Sequence, residues 1–207
     1  MAETEQPQIY LVTPPEMDPA TFPDTLAAVL DAVEIACVRL APSTRDDVLI
    51  ARLGDALRDV AHARDIPLVI EQHVMMVERL GLDGVHLTDG PRQVRKTRKL
   101  LGADAIVGTF CGASRHDAMT AGEAGADYVA FGPVGQTTLG DGTLAGYDLF
   151  AWWSEMIEVP VVAEGNLDED IVATLSPVAD FLCFGSEVWE TEDPLARLKS
   201  LVSAIAG

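Results

Sequence analysis

Residues 124–133 read AGADYVAFGP, and at their centre a short apolar run, Tyr128 to Phe131, is closed by a glycine on its carboxyl side. Short continuous apolar runs are typical of strands that are covered on both faces, as in a parallel sheet. Seven more runs follow the same pattern along the chain: Ile9 to Val12, Val33 to Val38, Pro67 to Ile70, Gly84 to Leu87, Ala105 to Val107, Pro160 to Ala163, and Phe181 to Phe184. The eight runs predict eight buried parallel strands.

Segments of helical period separate these runs: Asp46 to Ala63, Met75 to Leu80, Val94 to Leu101, Ala118 to Ala124, and Leu195 to Ile205. Their apolar residues recur on one face, as expected of helices that cover a sheet. Ser43 or Thr44 is the predicted N-cap of the first of these helices. Because no linker or change of composition interrupts the alternation, we predict one domain over residues 1–207. Eight β/α units allow a doubly wound sheet or a closed barrel, and the count of eight favours a (β/α)8 TIM barrel of the α/β class.

The charge balance excludes several classes of partner. The chain has 14 basic and 33 acidic side chains, which gives a net charge of −19. A surface of this kind repels nucleic acid and anionic membranes, so neither is an expected partner. It also repels phosphorylated ligands at long range, so any phosphate site must depend on local backbone donors and a few placed cations.

The cysteines and the hydropathy pattern bear on location. Cys37, Cys111 and Cys183 show no CxxC spacing, which argues against a zinc site or a disulfide framework and indicates buried thiols in a reducing compartment. The first residues, MAETEQPQIYLV, lack the basic and apolar regions of a signal peptide, and no apolar stretch is long enough to span a membrane. We therefore expect a soluble, cytoplasmic protein.

Two glycine turns predict a phosphate site. In a barrel, the loops after the strands lie at the C-terminal face, and those after strands seven and eight frequently bind phosphate. The seventh run is followed by Gly165 and Asn166, and the eighth by Gly185 and Ser186. A glycine directly after a strand presents backbone N–H groups to an anion. The glycine-rich stretch 132–146 follows the sixth run and is predicted to be a loop that covers the ligand.

Four phrases carry a family resemblance: IYLVTP at 9–14, LDGVHL at 82–87, AGADYVAFGP at 124–133, and PVVA at 160–163. In order and spacing they resemble strands one, four, six and seven of thiamine phosphate synthase and of its relative, the thiazole tautomerase. The resemblance covers nearly the whole chain. It implies a barrel that condenses hydroxymethylpyrimidine diphosphate with thiazole phosphate, using magnesium, as diphosphate leaves the methylene carbon of the pyrimidine.

The resemblance also implies roles for charged residues after the second, third and fourth strands. Arg39 matches an arginine of the family's second strand, where it would either meet a phosphate or form an ion pair at the rim; the lysine of that motif is Ala41 here. Glu71 and Gln72 replace an asparagine and a magnesium-binding aspartate, so Glu71 is the candidate ligand there. Asp89 is the candidate for a second magnesium position.

Thr137 and Thr138 keep the hydroxyl groups of the family's sixth loop, whose lysine is missing here. They would hydrogen-bond phosphate oxygens or simply face solvent, and with Arg39 they are the candidate catalytic residues. Loss of several placed charges leads us to expect weak or absent synthase activity, with magnesium required only if that activity is retained. The expected partner is a small phosphorylated ligand, thiamine phosphate or its precursors, and the resemblance makes a homodimer reasonable.

Two other functions stay open. One is a non-catalytic binder of thiamine phosphate or a related phosphate ester. The other is a different phosphate-ester enzyme, such as a heterocycle isomerase, for which Glu164 and Glu187 beside the glycine turns are the acid–base candidates. Acidic residues are abundant in this chain, which favours ordinary surface carboxylates at both positions.

Overall fold

Eight parallel strands close into a barrel in sequence order, from β1 to β8, which confirms the predicted (β/α)8 fold. The computed structural model describes residues 6–205. The prediction of a single domain over 1–207 therefore includes residues 1–5 and 206–207, which lie outside the described residues, and so does the first part of the segment MAETEQPQIYLV. The strands are β1 (Gln8–Val12), β2 (Cys37–Leu40), β3 (Leu68–Glu71), β4 (Gly84–Leu87), β5 (Ile106–Phe110), β6 (Tyr128–Phe131), β7 (Val161–Glu164) and β8 (Phe181–Phe184).

Helices connect the strands and cover the outside of the barrel. They are α1 (Phe22–Ala32), α2 (Asp47–His62), α3 (Val74–Leu80), α4 (Val94–Leu101), α5 (Arg115–Glu123), α6 (Tyr147–Met156), α7 (Glu169–Leu175), α8 (Ser186–Trp189) and α9 (Pro194–Ser203). The five predicted helices are confirmed, with ends that differ by up to three residues. Helices α1, α6, α7 and α8 were not identified from the sequence.

The N-cap of α2 differs from the prediction. The carboxylate of Asp46 accepts a hydrogen bond from the backbone N–H of Val48, so Asp46 is the N-cap. The hydroxyl oxygen of Thr44 instead accepts a hydrogen bond from the N–H of Asp46, in the turn that precedes the helix. Aspartate is as favourable at an N-cap as serine is. Because the cap is Asp46 and not Ser43 or Thr44, the helix begins at Asp47.

Four strands, β2, β3, β5 and β7, extend past the carboxyl ends of the apolar runs that predicted them, because each added segment contains a polar residue. Strand β2 starts only at Cys37 and continues through Arg39 to Leu40. Strand β5 continues to Phe110 through Thr109, whose hydroxyl donates a hydrogen bond to the backbone carbonyl of Gly90 at 2.8 Å. The apolar runs end at such residues, although the backbone pairing continues beyond them.

Apolar side chains form two layers, one between the strands and the helices and one inside the barrel. In the outer layer, Phe131 packs edge to face against Phe150 and Trp153, with ring centroids 5.6 and 5.2 Å apart. Trp153 is fully buried, whereas its neighbour Trp152 is partly exposed and lies under the guanidinium of Arg115. The inner layer holds the side chains that alternate with the outer set along each strand.

Three aspartates stabilise the N-terminal end of the barrel. Each directly precedes an even-numbered strand and accepts a hydrogen bond from a backbone N–H of the preceding strand. The pairs are Asp83 with Leu68, Asp127 with Val107, and Asp180 with Val161, each at 2.7 Å. This end therefore has a repeated structural role, and the opposite end is left for function.

Within residues 6–205, the cysteines and the helices bear on two further expectations from the sequence. Cys37, Cys111 and Cys183 are buried and free. None of the described helices is both long and apolar enough to cross a membrane.

Candidate functional site

The site residues predicted from the sequence all lie at or beyond the carboxyl ends of strands, which meet at one face of the barrel. Arg39 is in β2, Glu71 ends β3, and Asp89 follows β4. The stretch 132–146 is a loop between β6 and α6, as predicted, and carries Thr137 and Thr138. Gly165 and Asn166 follow β7, and Gly185 and Ser186 follow β8.

Arg39 forms a buried ion pair with Glu164 across the interior of the barrel. Its Nη2 donates to Oε2 of Glu164 at 2.5 Å, and the two residues are 6% and 3% exposed. The ion-pair interpretation of Arg39 is therefore supported, but the pair lies inside the barrel and not at a solvated rim. The expectation that Glu164 is an ordinary surface carboxylate was wrong, because the strand β7 directs this side chain inward.

A second carboxylate lies above this pair. Oε2 of Glu71 is 3.7 Å from Nε of Arg39, which is too long for a hydrogen bond, and Nε is buried without a hydrogen-bond partner among the described residues. The side chain of Glu71 is 31% exposed, so it faces the mouth of the barrel. Burial raises the pKa of the Glu71 carboxyl above its ordinary value, and the nearby guanidinium of Arg39 opposes that shift only in part.

Burial disfavours the charge on Arg39, yet Glu164, Cys183, Tyr10 and Glu71 together outweigh this effect and hold the pKa of Arg39 above its ordinary value, with Glu164 contributing most among them. Arg39 is therefore a permanent cation within a low-dielectric interior. Removing one partner of such a pair leaves an uncompensated buried charge, which costs about 3–5 kcal/mol.

A hydrogen-bonded chain of uncharged groups surrounds the ion pair. The hydroxyl of Tyr128 lies 2.7 Å from the hydroxyl of Tyr10 and 2.9 Å from Nδ1 of His86. The other ring nitrogen of His86 is 3.9 Å from Oε1 of Glu164. Burial and the charge of Arg39 lower the pKa of His86 well below its ordinary value, so the imidazole is neutral near pH 7. The chain fixes the orientation of the groups beneath the mouth.

The sequence did not identify Tyr10 and Tyr128 as members of a site. Both lie within apolar runs and read as core residues. The alternation of side chains along the strands could have identified them, because it places Tyr10, Tyr128, Arg39 and Glu164 at inward positions. Polar atoms at inward positions of a barrel must find hydrogen-bond partners there. His86 was expected to pack structurally, and it is buried within this chain.

The turn after β7 is joined to the loop after β6. Gly165 and Asn166 have φ values of +97° and +58°, and a Cβ added at Gly165 would lie 2.9 Å from Cα of Pro133. The N–H of Gly135 donates to the carbonyl of Gly165 at 2.8 Å, and the side chain of Asn166 donates to the carbonyl of Gln136 at 3.1 Å. These contacts hold the 132–146 loop against the mouth of the barrel.

The side chain of Glu187 joins the turns after β7 and β8. Its carboxylate accepts from the N–H of Gly185 at 3.1 Å and from the N–H of Leu167 at 3.3 Å. Burial raises the pKa of Glu187, although these backbone donors partly counteract the effect. The carboxylate of Glu187 therefore already accepts hydrogen bonds from backbone N–H groups at the predicted phosphate turns. The expectation that Glu187 is an ordinary surface carboxylate was wrong.

The candidate threonines of the sixth loop face outward. Thr137 and Thr138 are exposed, and their neighbour Leu139 is the residue of this segment that packs against the inner layer of the barrel. Gly140 approaches the ring of Phe110, where an added Cβ would lie 3.1 Å from a ring carbon. The loop therefore covers the mouth with an apolar side chain, while the two hydroxyl-bearing residues face solvent.

The two candidate magnesium ligands belong to adjacent strands: Glu71 is the last residue of β3, and Asp89 comes two residues after β4. In the pairing of these strands, Glu71 lies opposite His86. Oδ1 of Asp89 is buried without a hydrogen-bond partner within residues 6–205, and Oδ2 accepts from the side chain of Gln93 at 3.0 Å. The described residues contain no group of three or more His, Cys, Asp or Glu side chains arranged to hold a metal ion. Magnesium in phosphate sites commonly uses one or two carboxylates with phosphate oxygens and waters, so Asp89 and Glu71 fit that limited role.

Comparison with known proteins identifies relatives over most of the chain. The family model for thiamine monophosphate synthase matches residues 9–187. A thiamine-phosphate synthase of Rhodospirillum centenum is 44% identical over 184 residues, which cover 88% of this chain and 89% of that protein. A thiamine-phosphate synthase of Erythrobacter litoralis is 36% identical over 213 residues, covering 100% of this chain and 99% of the relative.

A solved structure shares the fold. Thiamine phosphate pyrophosphorylase from Pyrococcus furiosus superposes with a TM-score of 0.83 at 20% sequence identity, covering 96% of this chain and 95% of the other. At that identity the likeness supports the barrel architecture alone.

Proposed function

Because the chain belongs to the thiamine monophosphate synthase family, we propose that it acts in thiamine biosynthesis as a member whose condensation of hydroxymethylpyrimidine diphosphate with thiazole phosphate is weak or absent. The observation that carries this proposal is the 2.5 Å ion pair of Arg39 with Glu164. The condensation requires cations around the departing diphosphate. Here Arg39, for which a phosphate contact was one of two alternatives, already has a buried counter-ion.

Other charges expected from the family resemblance are also missing. Ala41 stands in place of a lysine, and Gln72 in place of an aspartate that would bind magnesium. Loss of one placed group that stabilises developing charge costs about 3–4 kcal/mol in transition-state stabilisation. Such losses are not additive, so no larger sum follows, but each lowers the rate in the same direction.

The phosphate pocket is proposed at Gly165, Asn166, Gly185 and Ser186. The segments 132–146, 165–168 and 185–193 contain no lysine or arginine, and the N–H of Gly185 already donates to Glu187, so a phosphate here would depend on the remaining backbone donors and on hydroxyl groups. Such donors bind an anion without a formal positive charge. Thr137 and Thr138 extend the donor set only if the loop turns them inward when ligand binds.

Magnesium is proposed to bind at Asp89 and Glu71 if synthase activity is retained. The unpartnered buried Oδ1 of Asp89 supports this assignment. When bound, the ion would neutralise negative charge on the leaving diphosphate. The role of Asp89 and Glu71 is to orient the ion, whereas Arg39 and the tyrosine–histidine chain hold the shape of the mouth.

The test is a turnover assay with the pyrimidine diphosphate, the thiazole phosphate and magnesium, followed by release of thiamine phosphate. We expect a rate at least about a thousandfold below that of the Rhodospirillum centenum relative assayed in parallel, since each lost charge is worth a factor of about a hundred or more. A comparable rate, in protein shown to be folded, would contradict the proposal that activity is weak or lost.

A second candidate function is a non-catalytic binder of thiamine phosphate or a related phosphate ester, which the two glycine turns favour. It predicts measurable binding of thiamine phosphate without product formation. Gly165→Ala is expected to abolish binding, because the added Cβ would lie 2.9 Å from Cα of Pro133. Gly146→Ala is the matched control, since an added Cβ there has no neighbour within 4 Å. Equal loss of binding in both variants would argue against a site at Gly165.

A further inference from the structure

We infer that Glu164 determines ligand specificity, because its carboxylate occupies, inside the barrel, the place of the anion that Arg39 would otherwise bind. The inference rests on the proposed function, since it concerns the phosphate group that Arg39 would meet. It goes beyond that function by predicting that one residue of this chain weakens the binding of diphosphate.

The geometry of the pair supports the assignment. Nη2 of Arg39 and Oε2 of Glu164 are 2.5 Å apart, and both side chains are more than nine-tenths buried. A guanidinium has five N–H donors, and a bidentate contact to a carboxylate or phosphate uses two of them in parallel. Here one hydrogen bond to Glu164 is formed, and Nε remains buried without a partner. Arg39 therefore keeps capacity for a second anion.

The charges around Arg39 disfavour the binding of a free anion to its remaining N–H donors. Glu71 is 3.7 Å from Nε, so two carboxylates already face one guanidinium. The imidazole of His86, which lies 3.9 Å from Glu164, is neutral near pH 7 because burial and Arg39 lower its pKa. An incoming diphosphate would thus approach one cation and two anions in a low-dielectric interior, where like charges repel strongly.

Replacing Glu164 with glutamine keeps the size of the side chain and removes one of these negative charges. The variant then holds a buried Arg39 whose charge is compensated only by the more distant Glu71. Because a buried unpaired charge is unfavourable, an anion that binds at Arg39 stabilises the folded variant more than it stabilises the wild type. Compared with the wild type, Glu164→Gln should therefore bind diphosphate more tightly, and diphosphate should raise its free energy of unfolding by more.

The experiment compares the wild type, Glu164→Gln and the double variant Arg39→Met/Glu164→Gln. Inorganic diphosphate is the probe, at fixed ionic strength and without magnesium, with affinity measured by isothermal titration and stability by thermal unfolding. We expect Glu164→Gln to bind diphosphate at least about tenfold more tightly than the wild type, the ratio that corresponds to one charge-assisted hydrogen bond of about 1.4 kcal/mol. Its Tm should rise with diphosphate, and the double variant should show neither effect.

The outcomes separate this inference from the proposed function. Equal, measurable affinity in the wild type and Glu164→Gln would overturn the role of Glu164 and leave anion binding standing. Absence of binding in both would overturn the inference and also argue against a phosphate site near Arg39. If Glu164→Gln is unfolded alone, recovery of its circular dichroism on addition of diphosphate supports the inference. Failure to recover, together with wild-type affinity in Glu164→Asp, overturns it.

Discussion

The hydroxyl of Tyr128 joins two buried partners, and its removal should cost more than removal of the hydroxyl of Tyr10. Tyr128→Phe leaves Tyr10 and Nδ1 of His86 without the hydrogen bonds that they make at 2.7 and 2.9 Å. Each buried group left unsatisfied costs about 1–3 kcal/mol, so the free energy of unfolding should fall by about 2–6 kcal/mol. Tyr10→Phe deletes the same atom from the other ring, but the hydroxyl of Tyr128 keeps its bond to His86. That variant should lose only about 1 kcal/mol.

The measurement is urea-induced unfolding of the wild type, the two single variants and the double variant, with linear extrapolation to water. The slopes should agree, because all four proteins expose similar surface on unfolding. The double variant should be destabilised by less than the sum of the single variants, since it removes the hydroxyl of Tyr10 that Tyr128→Phe leaves unpaired. If Tyr128→Phe proves no less stable than Tyr10→Phe, the hydroxyl of Tyr128 is not the centre of this chain.

Four further measurements follow from the described contacts. If synthase activity is present, Asp89→Asn should raise the magnesium concentration needed for half-maximal rate, and an unchanged requirement would exclude Asp89 as a ligand. Glu71→Gln should stabilise the protein at pH 7, because burial raises the pKa of Glu71 above 4.5 and the ionised form is disfavoured in the folded state. That advantage should shrink as the pH falls through the raised pKa and vanish below about 4.5; denaturation at pH 4 and 7 would check it. The thiols of Cys37 and Cys111 have a pKa of about 12 through burial, and Cys183 is raised as well, so a thiol reagent should modify none of them at pH 8 until denaturant is added. Gly108→Ala should fail to fold or lose most of its stability, because the added Cβ would overlap the ring of Tyr128 at 1.9 Å, whereas Gly146→Ala should be tolerated.

The sequence predicted the architecture because apolar runs and helical periods recur with little interruption. Their number gave eight strands, and parallel strands with intervening helices close into a barrel when there are eight of them. The ends of strands were predicted less well. Arg39 and Thr109 are polar and buried, and a pattern based on hydropathy cannot tell a buried polar residue with a partner from an exposed one.

The positions of the candidate site residues followed from topology, whereas their contacts did not. Residues after parallel strands must meet at one face, so the placement of Glu71, Asp89 and Gly165 was predictable. Which carboxylate faces Arg39 was not, because Glu164 lies 125 positions away in the chain and only closure of the barrel brings the inward faces of β2 and β7 together. The same holds for Glu187, whose partners belong to two different turns.

The buried ion pair also bears on how the chain folds. Arg39 belongs to the first half of the barrel and Glu164 to the second, so each charge has its 2.5 Å partner in the other half, and the first half alone offers Arg39 only the more distant Glu71. The second half alone would hold the carboxylate of Glu164 without Arg39, and the first half would leave Arg39 with Glu71 and without its closest partner; a buried charge without a close partner is strongly unfavourable. Pairing of strands within one half of the barrel therefore gives a partly folded chain little stabilisation. Two fragments divided between β4 and β5 should remain loosely structured when separate and become ordered only when mixed.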